Sequence, residues 1–279
     1  MPRSAAGSRF SRDVDEPITH ALAYIDTWGT WNDLANPSWL LDPWSTWLRA
    51  DPNRRLVLSV PMLLGSHAGQ FYNTSLDTYF VQLARNIKNR GIADQVIIRL
   101  GWEMNGDWNP YGRQYNPDGS GFRAMWRRVV PQMKAVHPFL FDFCPVMGGP
   151  PGPEPFYPGD DVVDIIGFDQ YDVWWNRPGG DPVQRWNYLL TKTNGLNWFA
   201  QWARQRNKPL AIDEWALWSA SDTQQGGGGD NPLFVTNMLT WAQDQGALWT
   251  IYFNDSGGGV GTTLQQNPRS LEAYRSYFG

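Results

Sequence analysis

The chain has 279 residues, 42% of them hydrophobic, with a formal net charge of −4 and no basic run. That length can bury a sizeable core and is close to the usual size of a (β/α)8 barrel. The charge balance argues against nucleic acid or an anionic membrane as a partner. One cysteine excludes an internal disulfide, and with only three histidines a structural zinc site is not expected.

In chain order, short apolar runs rich in β-formers fall at Ala21–Asp26, Leu56–Met62, Val96–Leu100, Leu140–Pro145, Val162–Phe168, Pro209–Asp213 and Ala247–Phe253. Helical patterns lie between them. After Leu56–Met62, Leu76, Phe80, Leu83 and Ile87 recur at spacings of 4, 3 and 4, and Gly91 supplies a stop. Trp44, Trp47 and Leu48, and later Trp198 and Trp202, follow the same rule. Strand alternating with helix predicts a parallel sheet with helices outside it. Counted back from Ala247–Phe253 as the eighth strand of a closed barrel, Pro209–Asp213 is the seventh and Val96–Leu100 the fourth. The first must then fall within residues 1–19, where Ala5–Phe10 is a weak candidate and the barrel can be irregular or truncated. No linker divides the sequence, so one barrel domain over 1–279 is expected, with 1–19 an N-terminal segment of open assignment. Gly226–Gly229 and Gly257–Gly259 read as mobile loops, and Gly148–Pro158 as a proline-broken one. Met1-Pro2-Arg3-Ser4 is not followed by the apolar stretch of an export signal, and no segment approaches a transmembrane span.

The chain carries 17 Trp beside 11 Tyr and 13 Phe, more than a core of this size requires. Flat aromatic rings stack on the apolar faces of sugars, and indole N–H bonds hydroxyls. Trp28, Trp102, Trp108, Trp174, Trp175, Trp215 and Trp218 lie just beyond strand ends and are candidate sugar platforms, with core packing the alternative; Trp249 and Tyr252 at the last strand are candidates too, and Trp249 faces either the barrel mouth as a platform or the helix layer as core. Trp31 follows the first visible strand and is a further candidate. Trp39, Trp44, Trp47, Trp126, Trp186, Trp198, Trp202 and Trp241 sit in helical patterns and read as core. His67, Asn105 and Asp169 are candidate polar contacts to a substrate; a solvated loop imidazole or a carboxylate satisfying loop amides is the alternative for His67 and Asp169. Asp26 and Asp172 leave the same two readings open. Cys144 reads as a buried small hydrophobe.

Two stretches carry chemistry. In Arg99-Leu100-Gly101-Trp102-Glu103-Met104-Asn105-Gly106-Asp107-Trp108 a buried strand runs into a carboxylate flanked by indoles. In Lys208-Pro209-Leu210-Ala211-Ile212-Asp213-Glu214-Trp215 a second strand does the same. Catalytic groups of a (β/α)8 barrel sit at the C-terminal ends of its strands, and glycoside hydrolysis needs two carboxyl groups flanking the scissile bond. Acids on the fourth and seventh strands of such a barrel face one another across its mouth, compatible with the separation of about 5–5.5 Å that retention of configuration requires. Strand alternation points Arg99 the same way as Glu103, where it either orients a catalytic carboxyl or forms a structural ion pair with it. Asp213 and Glu214 point oppositely, and Asp213 is the alternative nucleophile.

These motifs resemble those of glycoside hydrolase family 26. Trp102-Glu103-Met104-Asn105-Gly106-Asp107-Trp108 is similar to the family's acid/base segment, Ile212-Asp213-Glu214-Trp215 to its nucleophile segment, and Val163-Asp164-Ile165-Ile166-Gly167-Phe168-Asp169-Gln170-Tyr171 to its sixth strand. The resemblance implies Glu103 as acid/base, Glu214 as nucleophile and Tyr171 as the hydrogen-bonding partner of the nucleophile. The family's mannanases usually carry His before the acid/base, where this chain has Trp102, so the resemblance does not carry mannan over as substrate.

The expectation is a retaining, endo-acting glycosidase without metal or cofactor. It acts as a monomer on a β-linked polysaccharide outside the cell, a plant wall glycan or a microbial exopolysaccharide. A non-catalytic carbohydrate-binding barrel and an inverting enzyme are the alternatives. Only an enzyme releases new reducing ends.

Overall fold

Apolar runs of four to six residues, each followed by a helix with one apolar face, dictate parallel strands covered by helices. The structure is a computed structural model that describes residues 18–148, 152–255 and 260–278. The first-strand candidate Ala5–Phe10 and the glycines 257–259 lie outside the described residues. The described residues form two compact units, one of Thr19–Val146 with 152–167, the other of 147–148 with the residues from 168 onward.

In the first unit the order is β1 (His20–Tyr24), α1 (Trp31–Ala35), α2 (Ser38–Arg49), β2 (Arg55–Val60), α3 (Asp77–Asn89), β3 (Val96–Leu100), α4 (Ser120–Lys134), β4 (Leu140–Phe143) and β5 (Ile165–Ile166). The strands make one parallel sheet in the order β1-β2-β3-β4-β5, with Ser59 opposite Arg99 and Arg99 opposite Asp142. Phe80, Leu83 and Ile87 of α3 are fully buried, and Gly91 leaves the helix at φ +67°, as the spacing predicts. Trp44 is core, but Trp39 is 56% exposed, because it opens α2 on the solvent side.

The second unit contains β6 (Asp169–Tyr171), α5 (Pro182–Thr191), α6 (Leu196–Gln205), β7 (Ile212–Ala216), α7 (Pro232–Asp244), β8 (Thr250–Tyr252) and α8 (Pro268–Phe278). Its parallel sheet runs β6-β7-β8. Of the predicted strand Val162–Phe168 only Ile165–Ile166 is strand, as β5, and β6 follows beyond it at Asp169–Tyr171. The predicted strand Pro209–Asp213 starts and ends three residues later, at Ile212–Ala216; Pro209 has no N–H to give to a ladder. Glu214 therefore lies within its strand rather than beyond it.

Gly226–Gly229, expected to be mobile, is tied down instead. Trp174 N donates to Gly226 O (2.9 Å), Gly179 N to Gly227 O (2.8 Å) and Gly228 N to Asp172 O (3.1 Å). A Cβ on Gly226, which turns at φ +67°, would stand 1.9 Å from the Trp174 carbonyl oxygen, so glycine serves here both for a left-handed turn and for close backbone approach.

Candidate active site

The Glu103 segment begins where β3 stops. Gly101 turns at φ +59°, and a Cβ there would meet Phe122 at 2.9 Å and Met62 at 3.1 Å. Glu103 itself sits at φ +53°, a left-handed conformation that costs a non-glycine residue on the order of 1 kcal/mol. It persists because the backbone is fixed on both sides: Glu103 N donates to Cys144 O (2.7 Å), and Gly106 N to Glu103 O (3.0 Å). The strand ends at Leu100, so alternation does not extend from Arg99 to Glu103 as the sequence suggests. Arg99 is fully buried, donates to Ser59 Oγ (2.9 Å) and lies 5.7 Å from the Trp102 ring centroid.

The half-buried Glu103 carboxylate accepts a hydrogen bond from Trp108 Nε1 on Oε2 (2.7 Å). Asn105 is buried and clamps the chain after β4: its amide donates to Val146 O (2.9 Å) and its carbonyl oxygen accepts from Val146 N (3.0 Å). That makes Asn105 a loop staple, a role the sequence reading did not give it. Trp102, expected as a platform, is buried edge-on between Tyr24 (5.6 Å) and Tyr111 (5.9 Å). Trp28 is 77% exposed, with its ring against Gly65. His67 Nδ1 accepts from the indole of Trp31 (3.0 Å), which is buried and stacks on Tyr79. Asp26 caps its own loop by accepting from Trp28 N (2.8 Å).

In the second unit the β6–β7 register sets Asp169 opposite Glu214 and Tyr171 opposite Ala216. Alternation puts Asp169, Tyr171 and Glu214 on one face, and Gln170 and Trp215 on the other. Tyr171 Oη donates to Glu214 Oε2 (2.6 Å), and its ring meets Trp218 (5.2 Å) and Phe253 (6.1 Å) edge-on. Asp213 is fully buried and accepts from Trp249 Nε1 (2.8 Å). The β7–β8 register shifts between Ile212 and Trp215, and such an irregularity gives adjacent side chains separate directions. The two neighbouring acids accordingly have different partners.

Three expected platforms of this unit are core. Trp215 is fully buried against Phe234 of α7, Tyr252 and Tyr274 of α8, because the pleat that turns Glu214 one way turns Trp215 toward the helices. Tyr252 is buried, donates from Oη to Thr262 O (2.6 Å) and accepts from Leu217 N (3.3 Å); burial pushes its hydroxyl pKa well up. Trp249 is likewise buried, bonded to Asp213. Trp174 stacks on Tyr188 (4.5 Å, 6°), Trp218 bonds Asp222 (3.0 Å), and Trp175 is 54% exposed.

Sequence reasoning missed the buried pair Asp172–Arg185 (2.8 Å). Burial pushes the Asp172 carboxyl up; Arg185 and the Asn231 amide pull it back. It also missed Lys192, whose ammonium donates to Gln170 Oε1 (2.8 Å) and whose pKa burial lowers to about 8. Arg185 lies on α5 and Lys192 just past its end, so neither carries a strand-end signal.

Parallel strands with helices between them, Glu103 just beyond β3 beside an indole and Glu214 within β7 beside Tyr171, define the class as an α/β fold of the carbohydrate-active kind. Residues 31–210 match the model of Glycosyl hydrolase family 26, and the chain belongs to that family. The match spans Glu103 and stops four residues before Glu214. A mannan endo-1,4-β-mannosidase of Bifidobacterium adolescentis is 26% identical over 82% of this chain and 22% of its own length. A β-1,3-xylanase of a Vibrio species is 28% identical over 58% of this chain and 31% of its own. The chain thus spans between a fifth and a third of these relatives. A Cellulomonas fimi endo-β-1,4-mannanase double mutant superposes with a TM-score of 0.64 at 17% identity, covering 96% of this chain and 64% of that one. Likeness to solved structures of the family shows the fold class expected from the sequence, the (β/α)8 barrel.

Proposed function

We propose that the chain is a retaining, endo-acting glycoside hydrolase acting on a β-linked polysaccharide outside the cell, as a single barrel domain and a monomer. The observation that carries the reading is the Tyr171 hydroxyl held 2.6 Å from Glu214 Oε2 at the C-terminal end of a parallel strand. A phenol O–H keeps a carboxylate oriented without neutralising it, as an attacking nucleophile requires. Glu103, at the end of β3, supplies the acid. In the first step its proton passes to the glycosidic oxygen as the C–O bond breaks, and Glu214 bonds the anomeric carbon. In the second, Glu103 takes a proton from water, whose oxygen displaces Glu214 from the sugar. Exposed Trp28 and Trp108 in the first unit, beside His67, and exposed Trp175 in the second, beside Trp174 and Trp218, suit stacking on several sugars, while fully buried Asp169 and Arg99 act from behind the surface. The names of the relatives, acting on β-1,4-mannan and β-1,3-xylan, support a neutral β-linked backbone; a plant wall glycan and a microbial exopolysaccharide both satisfy that chemistry.

The test is release of reducing ends from a polysaccharide panel. Activity is expected in the parent and lost by at least about a hundredfold in Glu103→Gln and Glu214→Gln. A 2-deoxy-2-fluoro glycoside matched to the substrate should label Glu214. A label on Asp213 would reassign the nucleophile, first-formed product of inverted configuration would refute retention, and binding without reducing ends would leave a carbohydrate-binding barrel.

A further inference from the structure

The exposed indole of Trp108 is anchored at two points. Its ring lies against the backbone of Gly106, where a Cβ would meet ring carbons at 2.4 Å. Its Nε1 reaches Glu103 Oε2 at 2.7 Å. The loop that carries it closes on itself. Gly106 N donates to Glu103 O (3.0 Å), Arg113 N to Gly106 O (2.9 Å) and Asn109 Nδ2 to Trp102 O (3.1 Å), while Arg113 pairs with Asp107. Trp108 is thus 57% exposed yet fixed in register with one carboxylate oxygen.

We propose that Trp108 is a positioning residue for the proton donor: its N–H holds Oε2 of Glu103, so that the proton to be transferred rides on Oε1. This rests on the reading of Glu103 as acid/base. Indole donates and never accepts. In a protonated carboxyl the carbonyl-type oxygen is the better acceptor, so the indole selects Oε2 for that role and leaves the hydroxyl at Oε1. The Oε1 proton goes to the leaving sugar's oxygen in the first step and is replaced from water in the second, while the bond from Trp108 persists in both states. A sugar that presses on the exposed indole is therefore felt directly at the acid. The other charged groups of this strand and loop are Arg99, opposite Asp142 in the sheet, the mutually paired Asp107 and Arg113, and Asp118, which accepts from Ser120 at the start of α4.

The decisive experiment is NMR titration of the full chain, which needs no substrate. The Trp108 indole N–H signal, identified by its loss in Trp108→Phe, should shift with pH and lose that shift in Glu103→Gln. The Glu103 carboxyl carbon should titrate at higher pH in Trp108→Phe, because removing a donor to the charged form disfavours that form. Gly106→Ala, which displaces the ring and keeps the indole, should move the titration the same way. On the β-glycan cut fastest, Trp108→Phe should lower kcat/KM about tenfold and carry the alkaline limb upward. An indole signal flat across the titration, or a Glu103 titration unmoved in both variants, overturns the proposal. If the coupling is present but Glu103→Ala hydrolyses at the parent rate, the acid/base reading fails and the hydrogen bond stands.

Discussion

Arg185 offers the sharpest test of how the second unit holds its site. The residue is 2% exposed and Asp172 is fully buried. The guanidinium donates to Asp172 Oδ1 (2.9 Å) and to the carbonyl oxygens of Asp172 (2.8 Å), Arg177 (2.9 Å), Gly179 (3.0 Å) and Gly226 (3.0 Å). It thereby joins the segment after β6 to the glycine run after β7. Arg185→Met breaks the ion pair and takes a donor from four carbonyls, of which Asp172 O and Gly226 O keep a backbone N–H and Arg177 O and Gly179 O lose the side-chain donor. Removing one partner of a buried pair costs about 3–5 kcal/mol, and the lost carbonyl bonds keep the value toward the upper end. At roughly 2–4 °C per kcal/mol, the melting temperature should fall by about 8–18 °C. The deficit should also depend on pH. Without Arg185 the Asp172 carboxyl rises further above its unfolded value, so the folded state binds a proton that the unfolded state does not. Stability of the variant then falls as pH rises through that window, and the deficit is smallest in acid. Urea unfolding followed by tryptophan fluorescence at several pH values measures both effects. Asp172→Leu in the same chain should recover about 2 kcal/mol relative to the sum of the single changes. Turnover should fall as well, since Asp172 directly follows Tyr171. A cost of Arg185→Met below about 1 kcal/mol, or strict additivity of the pair, would refute the reasoning.

Tyr171→Phe removes one hydroxyl and keeps a ring packed against Trp218 and Phe253. Turnover should drop about ten- to a hundredfold, the worth of one hydrogen bond to a charged group, while the melting temperature moves by no more than about 3 °C; equal kcat in the two proteins would dismiss the tyrosine. Lys192 loses its proton near pH 8 when folded and near ~10.4 when unfolded. Between those limits the unfolded chain binds more protons, so stability should climb with pH, and Lys192→Met should flatten that rise in urea midpoints measured from pH 7 to pH 10.5. Trp102 presents no acceptor nitrogen beside Glu103, so kcat/KM on unsubstituted β-mannan should fall below that on another β-glycan. Trp102→His should harm turnover on the better substrate by hollowing the Tyr24–Tyr111 cluster, and a clear parent preference for mannan would show the substitution to be silent.

What the sequence determined by itself was periodicity and position. Apolar runs and helical spacing fixed the alternating architecture, since burial of β3 and of the Phe80–Leu83–Ile87 face follows from pattern alone. Chemistry at strand ends singled out Glu103 and Glu214, because a carboxylate at the end of an apolar run is visible as text, and the family resemblance added Tyr171. What only the tertiary structure decided was which ring faces where. Trp102, Trp215, Trp249 and Tyr252 stand at the same kind of position as Trp28, Trp108 and Trp175, yet the first four are buried and the last three exposed. The pleat of β7, its register shift against β8, and left-handed turns at Gly101 and Glu103 set those directions. Each depends on neighbours far away in sequence, as does Arg185, which a local pattern marks only as a helix cation and which packing turns into the clasp of two loops.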